Sequence, residues 1–456
     1  MNRISDAINY YVSSFLYPLS LAVIAYIGWI TQAFWIAAGL ESLLCFAPLF
    51  GDDGRGYEAP PLCVLPLVSE RLSFNNIQPY MYLAIACYIL SLLLFLIIRR
   101  PKFKPGNLFY PYMILSAVFL ISNIANSIET DTFEYEAYLF IFLMILIVGE
   151  SALFGSVLEE NKDSFRYLAW CIVAMSILIS IEVFSYYIMN PDKLYQEGAE
   201  FGWAGSKPMV STLLVSSLPF YGILIYRSRK NIVYLFMMFF PIIANILLGT
   251  ESGLLAMVLS FLPIILLSFR SYGRSYPYIS LILSLVFVGL LGFYLGFSAS
   301  FQKLFVASIK SLNLMDSDSS SIYQYVLAGF EKSLILGPSA QGLVSIFSVG
   351  PGQLFIPRNT VLTTAYMGGI VGLVAYVPAW LMSYWVCLNR KSPDRWLLLV
   401  FLLMTDLIGI TDNTIYNLYF LMFFLAIMAS YQSSNIYTKA NVTDKYFNDY
   451  DQALIR

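Results

Sequence analysis

The sequence contains no histidine, few charged residues and only five cysteines. Without histidine the chain lacks the side chain that most often acts as a general base near neutral pH and most often binds transition metals. Charged residues make up 12% of the chain, against about 25% in ordinary soluble domains. The net charge of −2 provides no basic field for nucleic acid, which is therefore not an expected partner. Any chemistry must rely on carboxylates, Lys, Arg, Tyr or backbone groups.

The cysteines are scattered, and three of them lie inside apolar stretches, as expected of small buried side chains: Cys87, Cys171 and Cys387. Cys45 and Cys63 flank the first polar segment, and a disulfide bridge between them is left open. The neighbouring pair Asp52 and Asp53 resembles part of a metal site, but no partner ligands accompany it. We expect neither a metal nor a cofactor.

Apolar residues are abundant, at 59% of the chain with a mean hydropathy of +0.71. A single buried core cannot account for this composition, which requires many lipid-facing segments. The first apolar stretch, about 14–40, is longer than the core of a cleavable signal, so we expect a helix that is retained. At about 20 residues per span, the sequence predicts an all-α membrane domain over residues 1–456 with twelve transmembrane helices, at about 14–36, 78–98, 108–125, 137–157, 168–189, 209–226, 232–249, 253–269, 278–298, 361–388, 396–411 and 418–431.

Lysine and arginine indicate the orientation of these helices. Most of the 26 basic residues fall on one face if the chain starts in the cytoplasm, notably at 99–102, 227–230, 270–274 and 390–395. Basic loops face the cytoplasm in membrane proteins. We therefore expect a multi-pass protein of the bacterial inner membrane with both termini in the cytoplasm.

The opposite, periplasmic face is predicted to carry the more informative loops, at about 41–77, 190–208 and 299–360. The last of these links the ninth and tenth predicted helices and contains two stretches with helical apolar spacing, at 301–312 and 322–336. Loops longer than about 15 residues that contain their own elements are usually functional. We expect the function to reside on this face.

Three motifs together resemble the O-antigen polymerase and O-antigen ligase superfamily of bacterial surface-polysaccharide synthesis. GWAGSKP at 202–208 resembles the family's Gly-rich outer loop entering a helix. LLGTESGLLA at 247–256 is similar to its small-polar SGSRG break before an Ala/Leu-rich helix. PRNT at 357–360, followed by YMGGIVG at 366–372, resembles its HN pair followed by a GxxG helix. The resemblance covers about residues 200–385.

The resemblance implies a GT-C-like membrane glycosyltransferase that joins oligosaccharides carried on undecaprenyl diphosphate. Its partners would be a lipid-linked glycan donor, a glycan acceptor and the bilayer, together with chain-length regulator and flippase proteins. Two positions depart from the family: Ser252 stands where it has an arginine, and Arg358 where it has a histidine. The missing histidine favours a polymerase-like member over a ligase, and it prevents a direct transfer of catalytic roles.

Such an enzyme needs cations for the leaving diphosphate and a base for the acceptor hydroxyl. Arg358 and Lys207 are the candidate cations, although either could instead be an interfacial cation reaching lipid headgroups. Glu251, in a tight turn between two helices, is the candidate base, or else a solvated turn acid. We expect the three to converge on one cavity. The further candidates for substrate binding are Trp203, which could equally belong to the interfacial aromatic belt, and Thr250, Ser252, Asn359 and Asp412.

Three carboxyl groups, those of Glu150, Glu182 and Asp406, fall within predicted helices. An ionisable group at membrane depth is a functional candidate, but each is also compatible with a neutral, hydrogen-bonded packing role. They bear on the main alternative, a lipid-linked-oligosaccharide flippase or another twelve-helix transporter. A transporter would place more such groups in the membrane and its largest polar segment in a central cytoplasmic loop. A non-catalytic scaffold for polymer assembly is the third possibility.

Overall fold

The structure is a computed structural model that describes most of the helical part of the chain. The described residues are 2–31, 33–51, 54–60, 62, 79–100, 105–131, 133, 135–158, 164–190, 200–201, 205–227, 231–269, 333–338, 359–390, 392, 394–411, 416 and 418–433. Within these ranges the protein is almost entirely helical. Its one sheet is a two-stranded antiparallel ladder in which Glu200 pairs with Ser206 and Phe201 with Gly205.

Thirteen α-helices have their bounds within the described residues. They are α1 (Asn2–Ser13), α2 (Leu16–Thr31), α3 (Phe34–Leu44), α4 (Pro79–Arg99), α5 (Phe109–Thr130), α6 (Tyr135–Leu158), α7 (Ser164–Met189), α8 (Lys207–Arg227), α9 (Asn231–Leu248), α10 (Glu251–Phe269), α11 (Thr360–Asn389), α12 (Arg395–Thr411) and α13 (Leu418–Ser433). Two 3-10 turns follow α3, at Ala47–Phe50 and Gly54–Glu58. The strands β1 (Glu200–Phe201) and β2 (Gly205–Ser206) precede α8.

Ten of the twelve predicted spans coincide with a helix, from α4 through α13. The span predicted at 278–298 lies outside the described residues, as does most of the loop at 299–360. Among the described helices, five are long and apolar enough to cross a membrane, or six if the bent pair α1 and α2 counts as one span. Large apolar side chains such as Ile97 and Val374 are exposed, as lipid-facing residues are. The chain is thus a helical membrane protein, and the number twelve stays a prediction.

The prediction of one helix over 14–36 is wrong, because the chain turns back there. Two shorter helices, α2 and α3, form a hairpin, and the Tyr17 hydroxyl at the start of α2 donates to the Leu44 carbonyl at the end of α3 (2.8 Å). The hairpin depends on Gly28, where a Cβ would collide with that of Ala37. A glycine at this position lets the two backbones approach closely.

The predicted placement of residues 41–77 on the face opposite the N-terminus is also wrong for Leu44–Glu58. Arg99, at the end of α4, donates to the Gly51 carbonyl (2.8 Å), and a Cβ on Gly56 would collide with Val12 of α1. This segment therefore lies at the same end of the bundle as α1. Cys45 is a buried free thiol there, and Cys63 lies outside the described residues.

Described residues of the basic segments at 227–230 and 390–395 lie at one end of the bundle, whereas residues 270–274 lie outside the described part of the chain. Arg227, at the end of α8, forms an ion pair with Asp394, which precedes α12. Arg390, after α11, donates to the Tyr431 carbonyl of α13 (2.8 Å). The next residue of α13, Gln432, accepts from the backbone N–H of Asn107, before α5 (3.1 Å). We call this the basic end of the bundle and the other the opposite end.

The core of the bundle is built around α8, whose side chains are buried along most of its length. It packs against α7, α9, α10 and α12. Aromatic rings fill the space near the basic end: Phe401 of α12 stacks on Phe424 of α13, and its edge meets Phe220 of α8. A buried central helix is held in position on all sides, so the residues at its start are placed by the whole bundle.

Candidate functional site

The helices that begin at the opposite end of the bundle include α8, α10 and α11. The Arg227–Asp394 ion pair joins the end of α8 to the start of α12, so these helices are antiparallel and the start of α8 lies level with the end of α12. The Asn359 amide, just before α11, donates to the Ile410 carbonyl near the end of α12 (3.1 Å). The starts of α8 and α11 therefore both lie at the end of α12.

The α9–α10 turn brings the third helix start to the same place. Gly249 ends α9 in the left-handed conformation (φ 65°), as a C-terminal cap. The Thr250 carbonyl accepts the first bond of α10, from the Leu254 N–H (2.9 Å), so Thr250 is the N-cap. The Thr250 hydroxyl donates to Ser211 in the first turn of α8. The predicted small-polar break is therefore a helix end followed at once by a helix start.

Buried hydrogen bonds hold this turn against α8. The Ser211 hydroxyl donates to the Asn245 side-chain carbonyl (2.5 Å). A Cβ on Gly253 would collide with Ser211 and approach Asn245 within 3.0 Å. Gly253 thus permits the start of α10 to lie directly against the start of α8. Both helix starts are held rigidly relative to each other.

Lys207 is the first residue of α8 and is half-buried, at the end of the β1–β2 ladder. A helix start carries a partial positive charge, so a cation there is unfavourable by about 0.3–1 kcal/mol unless an anion is nearby. Glu251, by contrast, occupies the first position of α10, where the helix dipole favours the ionised carboxylate. A cation and a carboxyl residue therefore occupy the first positions of two adjacent helices at this end of the bundle.

Asn359 acts as the N-cap of α11, a role the sequence did not assign to it. Its side-chain carbonyl accepts from the N–H groups of Val361 (2.9 Å) and Leu362 (3.0 Å). With its amide on the Ile410 carbonyl, the side chain is engaged in positioning the helix start. These contacts fix Asn359, the residue directly after Arg358. Arg358 itself lies outside the described residues.

The long helix α11 is broken inside the bundle at Gly369, which has φ 61° and ψ −152°. Directly after the break, the N–H groups of Ile370 and Val371 donate to the carbonyls of Leu334 (3.0 Å) and Ile335 (3.2 Å). A Cβ on Gly369 would collide with the Ile335 carbonyl. Broken helices with irregular backbone at membrane depth occur where the chain is buried in protein or lines a cavity.

The short segment Ser333–Pro338, part of the predicted long loop, fills this break. Gly337 is left-handed (φ 70°), and its N–H donates to the Ser333 carbonyl (2.7 Å). The Leu336 carbonyl accepts from the Ser122 hydroxyl of α5 (2.5 Å). Four consecutive carbonyls, from Ser333 to Leu336, are therefore satisfied by α11, α5 and the turn itself. The sequence had placed this segment in a periplasmic loop, whereas it inserts between two helices of the bundle.

The three carboxyl residues that the sequence predicted to lie within helices do so. Glu150 of α6 accepts from the Tyr88 hydroxyl (2.9 Å), and Asp406 of α12 accepts from Trp380 (3.0 Å) and from Tyr384 of α11. Glu182 is buried in α7. Glu41 of α3, which the sequence analysis passed over, is fully buried, and no described residue donates a hydrogen bond to its carboxylate. These contacts fit a packing role as well as a functional one.

The structure brings together part of the predicted site. The Lys207, Thr250 and Glu251 positions and the Asn359 cap lie at one end of the bundle. The side chains of Glu251 and Ser252 lie outside what the structure describes, as do Trp203, Arg358 and Asp412 entirely, so convergence on one cavity stays a prediction. Sequence reasoning missed the break at Gly369 and its filling by Ser333–Pro338. A signal existed: a Gly–Gly pair within an apolar helix of 30 residues, longer than a membrane requires.

No cluster of three or more acidic or cysteine side chains that could hold a metal ion occurs in the part of the chain that the structure describes. In comparisons with known proteins, no protein-family model matches the sequence, and no curated protein is detectably similar to it.

Proposed function

We propose that the protein is a membrane glycosyltransferase that polymerises, or ligates, undecaprenyl-diphosphate-linked oligosaccharides of a bacterial surface polysaccharide. The observation that carries the proposal is the placement of three helix starts and Lys207 at the same end of the bundle. A helix start carries a partial positive charge, which favours a phosphate group nearby. A lipid diphosphate places its charge at the membrane boundary, where such an end would lie.

In this reaction the acceptor hydroxyl oxygen forms a bond to the anomeric carbon, and the bond from that carbon to the diphosphate oxygen breaks. Negative charge grows on the departing diphosphate, so fixed cations and N–H groups stabilise the transition state more than the ground state. Lys207 and Arg358 supply the cations in the proposal. Glu251, the first residue of α10, takes the acceptor proton in the proposal. No metal or nucleotide is needed, because the donor is already activated.

The proposal sets the orientation as well. The basic end, with Arg99, Arg227 and Arg390, faces the cytoplasm of the inner membrane, as basic loops do. The starts of α8, α10 and α11 then face the periplasm, where lipid-linked repeats are joined. A flippase would deliver the substrate and a chain-length regulator would limit the product.

A transporter, with lipid-linked oligosaccharide as its cargo, is the second candidate, and two observations favour it. The break in α11 at Gly369 is a feature of transporter helices. Glu41 is fully buried without a described hydrogen-bond donor, and such a group in a membrane protein is often part of a proton or substrate path. If the protein is a transporter, the opposite end of the bundle is one opening of its substrate pathway.

Deleting the gene in its native host separates the candidates, with surface and periplasmic glycan resolved by size. A polymerase predicts single repeats on the cell surface in place of long chains. A flippase predicts no repeat on the outer face of the inner membrane and accumulation of lipid-linked repeat on the inner face. A ligase predicts uncapped lipid A core, and unchanged surface glycan contradicts every version of the proposal.

A further inference from the structure

Two buried polar side chains near the break in α11 lack hydrogen-bond partners among the described residues. They are the amide of Asn123, in α5, and the hydroxyl of Thr360, the first residue of α11, with 0% and 3% of their residue surfaces exposed. A buried polar group left unpaired destabilises the folded state, so nearly all such groups in proteins have a partner. These two groups therefore require an explanation.

Both lie along the contact between α5 and α11. A Cβ on Gly368 would approach the Phe119 ring within 3.1 Å, and one on Gly372 within 3.6 Å, so Phe119 lies level with these two residues. Asn123 is one turn beyond Phe119 on the same face of α5, in the direction of the opposite end. Thr360 is one turn beyond Thr364, which also puts it nearer that end. In antiparallel helices this register separates the Asn123 and Thr360 levels by roughly 6–12 Å along the helix axes.

Aromatic and hydroxyl groups complete this region. Tyr416 shares a hydrogen bond with the Thr364 hydroxyl, and its ring lies 5.7 Å from that of Phe119. We name Asn123, Thr360, Thr364 and Tyr416 the α5–α11 seam. Within the described part of the chain, no charged side chain forms a hydrogen bond with any of these four. The seam thus offers neutral donors and acceptors beside aromatic rings.

We propose that the α5–α11 seam is a saccharide subsite, in which Asn123 and Thr360 bind hydroxyl groups of the transferred or accepting glycan. This inference rests on the proposed function. An amide and a hydroxyl each donate and accept, as sugar hydroxyls do, and their separation suits a chain longer than one sugar ring. A phosphate or a carboxylate would require a cation instead. The seam would recognise the sugar, while Lys207 and the neighbouring helix starts would bind the diphosphate.

The test measures binding of two probes to the full-length protein in nanodiscs: undecaprenyl diphosphate, and lipid-linked oligosaccharide extracted from the host lacking this gene. The variants are Asn123→Leu and Thr360→Val, with Thr360→Ser as the conservative change that keeps the hydroxyl. Thr363→Val is the matched control, because the Thr363 hydroxyl is already bound to the Asn359 carbonyl (3.0 Å). The thermal midpoint without ligand is recorded for each variant.

We expect Asn123→Leu and Thr360→Val each to weaken binding of the oligosaccharide probe about tenfold, the loss of one good hydrogen bond, and to leave binding of undecaprenyl diphosphate unchanged. Thr360→Ser and Thr363→Val should bind both probes like the wild type. Equal binding of the oligosaccharide probe by wild type and both seam variants overturns the subsite. A wild-type protein that binds neither probe overturns the proposed function itself, so the two failures are distinct.

If Asn123→Leu does not fold, the comparison of Thr360→Val with Thr360→Ser decides. A subsite predicts loss of oligosaccharide binding with valine and retention with serine at similar thermal midpoints. A packing role alone predicts that binding of both probes falls together with the thermal midpoint, and this result would also overturn the subsite.

Discussion

At the scale of single residues, the candidate site depends on glycines whose missing side chains let other groups approach. Gly253 allows the Thr250–Ser211–Asn245 hydrogen bonds to join the start of α10 to α8. Gly369 and Gly337 adopt left-handed conformations where the backbone of α11 meets the inserted segment. A left-handed conformation costs other residues about 1–2 kcal/mol. These positions thus require glycine for different reasons, one for space and the other two for conformation.

Replacing Gly253 with alanine tests the first of these reasons. The added Cβ would collide with Ser211, so we expect a loss of stability of about 1–3 kcal/mol and a fall in glycan polymerisation, measured by the thermal midpoint and by surface glycan length. Gly149→Ala is the matched control, since a Cβ at this position in α6 has no neighbour within 4 Å. That change should stabilise the protein by roughly 0.5–1 kcal/mol. Equal midpoints for the two variants would contradict the geometry of the α9–α10 turn.

Sequence reasoning worked unevenly at this scale. The small-polar run at 249–253 was recognised as a break, and it is one, because glycine followed by an N-capping residue is strongly specified by local chemistry. The side chain of Asn359 caps α11 and contacts the end of α12, a role that the sequence did not indicate; its predicted role in substrate binding stays a prediction. Asn123 carried no local signal, since a polar residue in a largely apolar helix is interpretable only when its neighbours in space are known.

At the scale of elements, the helices were predicted well and their interruptions were not. Apolar runs in the sequence locate helices, and α4 through α13 each fall on a predicted span, of which α5, α6, α7, α8 and α11 are long and apolar enough to cross a membrane. The α2–α3 hairpin was missed because residues 14–40 form one nearly continuous apolar run. The break in α11 was missed for the same reason, because the parts of the helix before and after Gly369 are equally apolar. The break is marked by backbone hydrogen bonds from α11 to Leu334 and Ile335. These residues are distant in the sequence, so no local pattern indicates the contact.

The Arg227–Asp394 ion pair is the element-scale contact most open to test. The Asp394 side chain is fully buried, that of Arg227 is 23% exposed, and the pair joins α8 to α12. Removing one partner of a buried pair leaves the other charge uncompensated, at a cost of about 3–5 kcal/mol. We expect Arg227→Met to lower the thermal midpoint by several degrees.

A second change provides the control for that prediction. Adding Asp394→Asn to Arg227→Met removes the uncompensated charge and keeps a side chain able to cap α12. We expect the double variant to regain part of the lost stability in the same thermal measurement. If Arg227→Met alone leaves the midpoint unchanged, then α8 and α12 are not joined in this way, and the argument that α8 begins beside the end of α12 loses its support.

At the scale of the whole molecule, the account links charge distribution to the location of function. The described basic residues Arg227 and Arg390 lie at one end, and the starts of α8, α10 and α11 lie at the other; the orientation in the membrane stays a prediction. Composition could predict this separation, because lipid and charge act on every segment in the same way. It could not predict that Leu44–Glu58 returns to the basic end, because that depends on the close approach of Gly28 and Ala37.

The central claim is that this protein transfers lipid-linked glycan at the end of the bundle where Lys207 begins α8. The most direct test incubates the purified protein in nanodiscs, where both faces are open to solution, with lipid-linked oligosaccharide, and measures glycan length. The account predicts glycans of two or more repeats together with released undecaprenyl diphosphate, and a loss of at least about tenfold in rate for Lys207→Met. Glycans of unchanged length with the wild-type protein, combined with movement of the same lipid across liposomes, would contradict the account and identify a transporter.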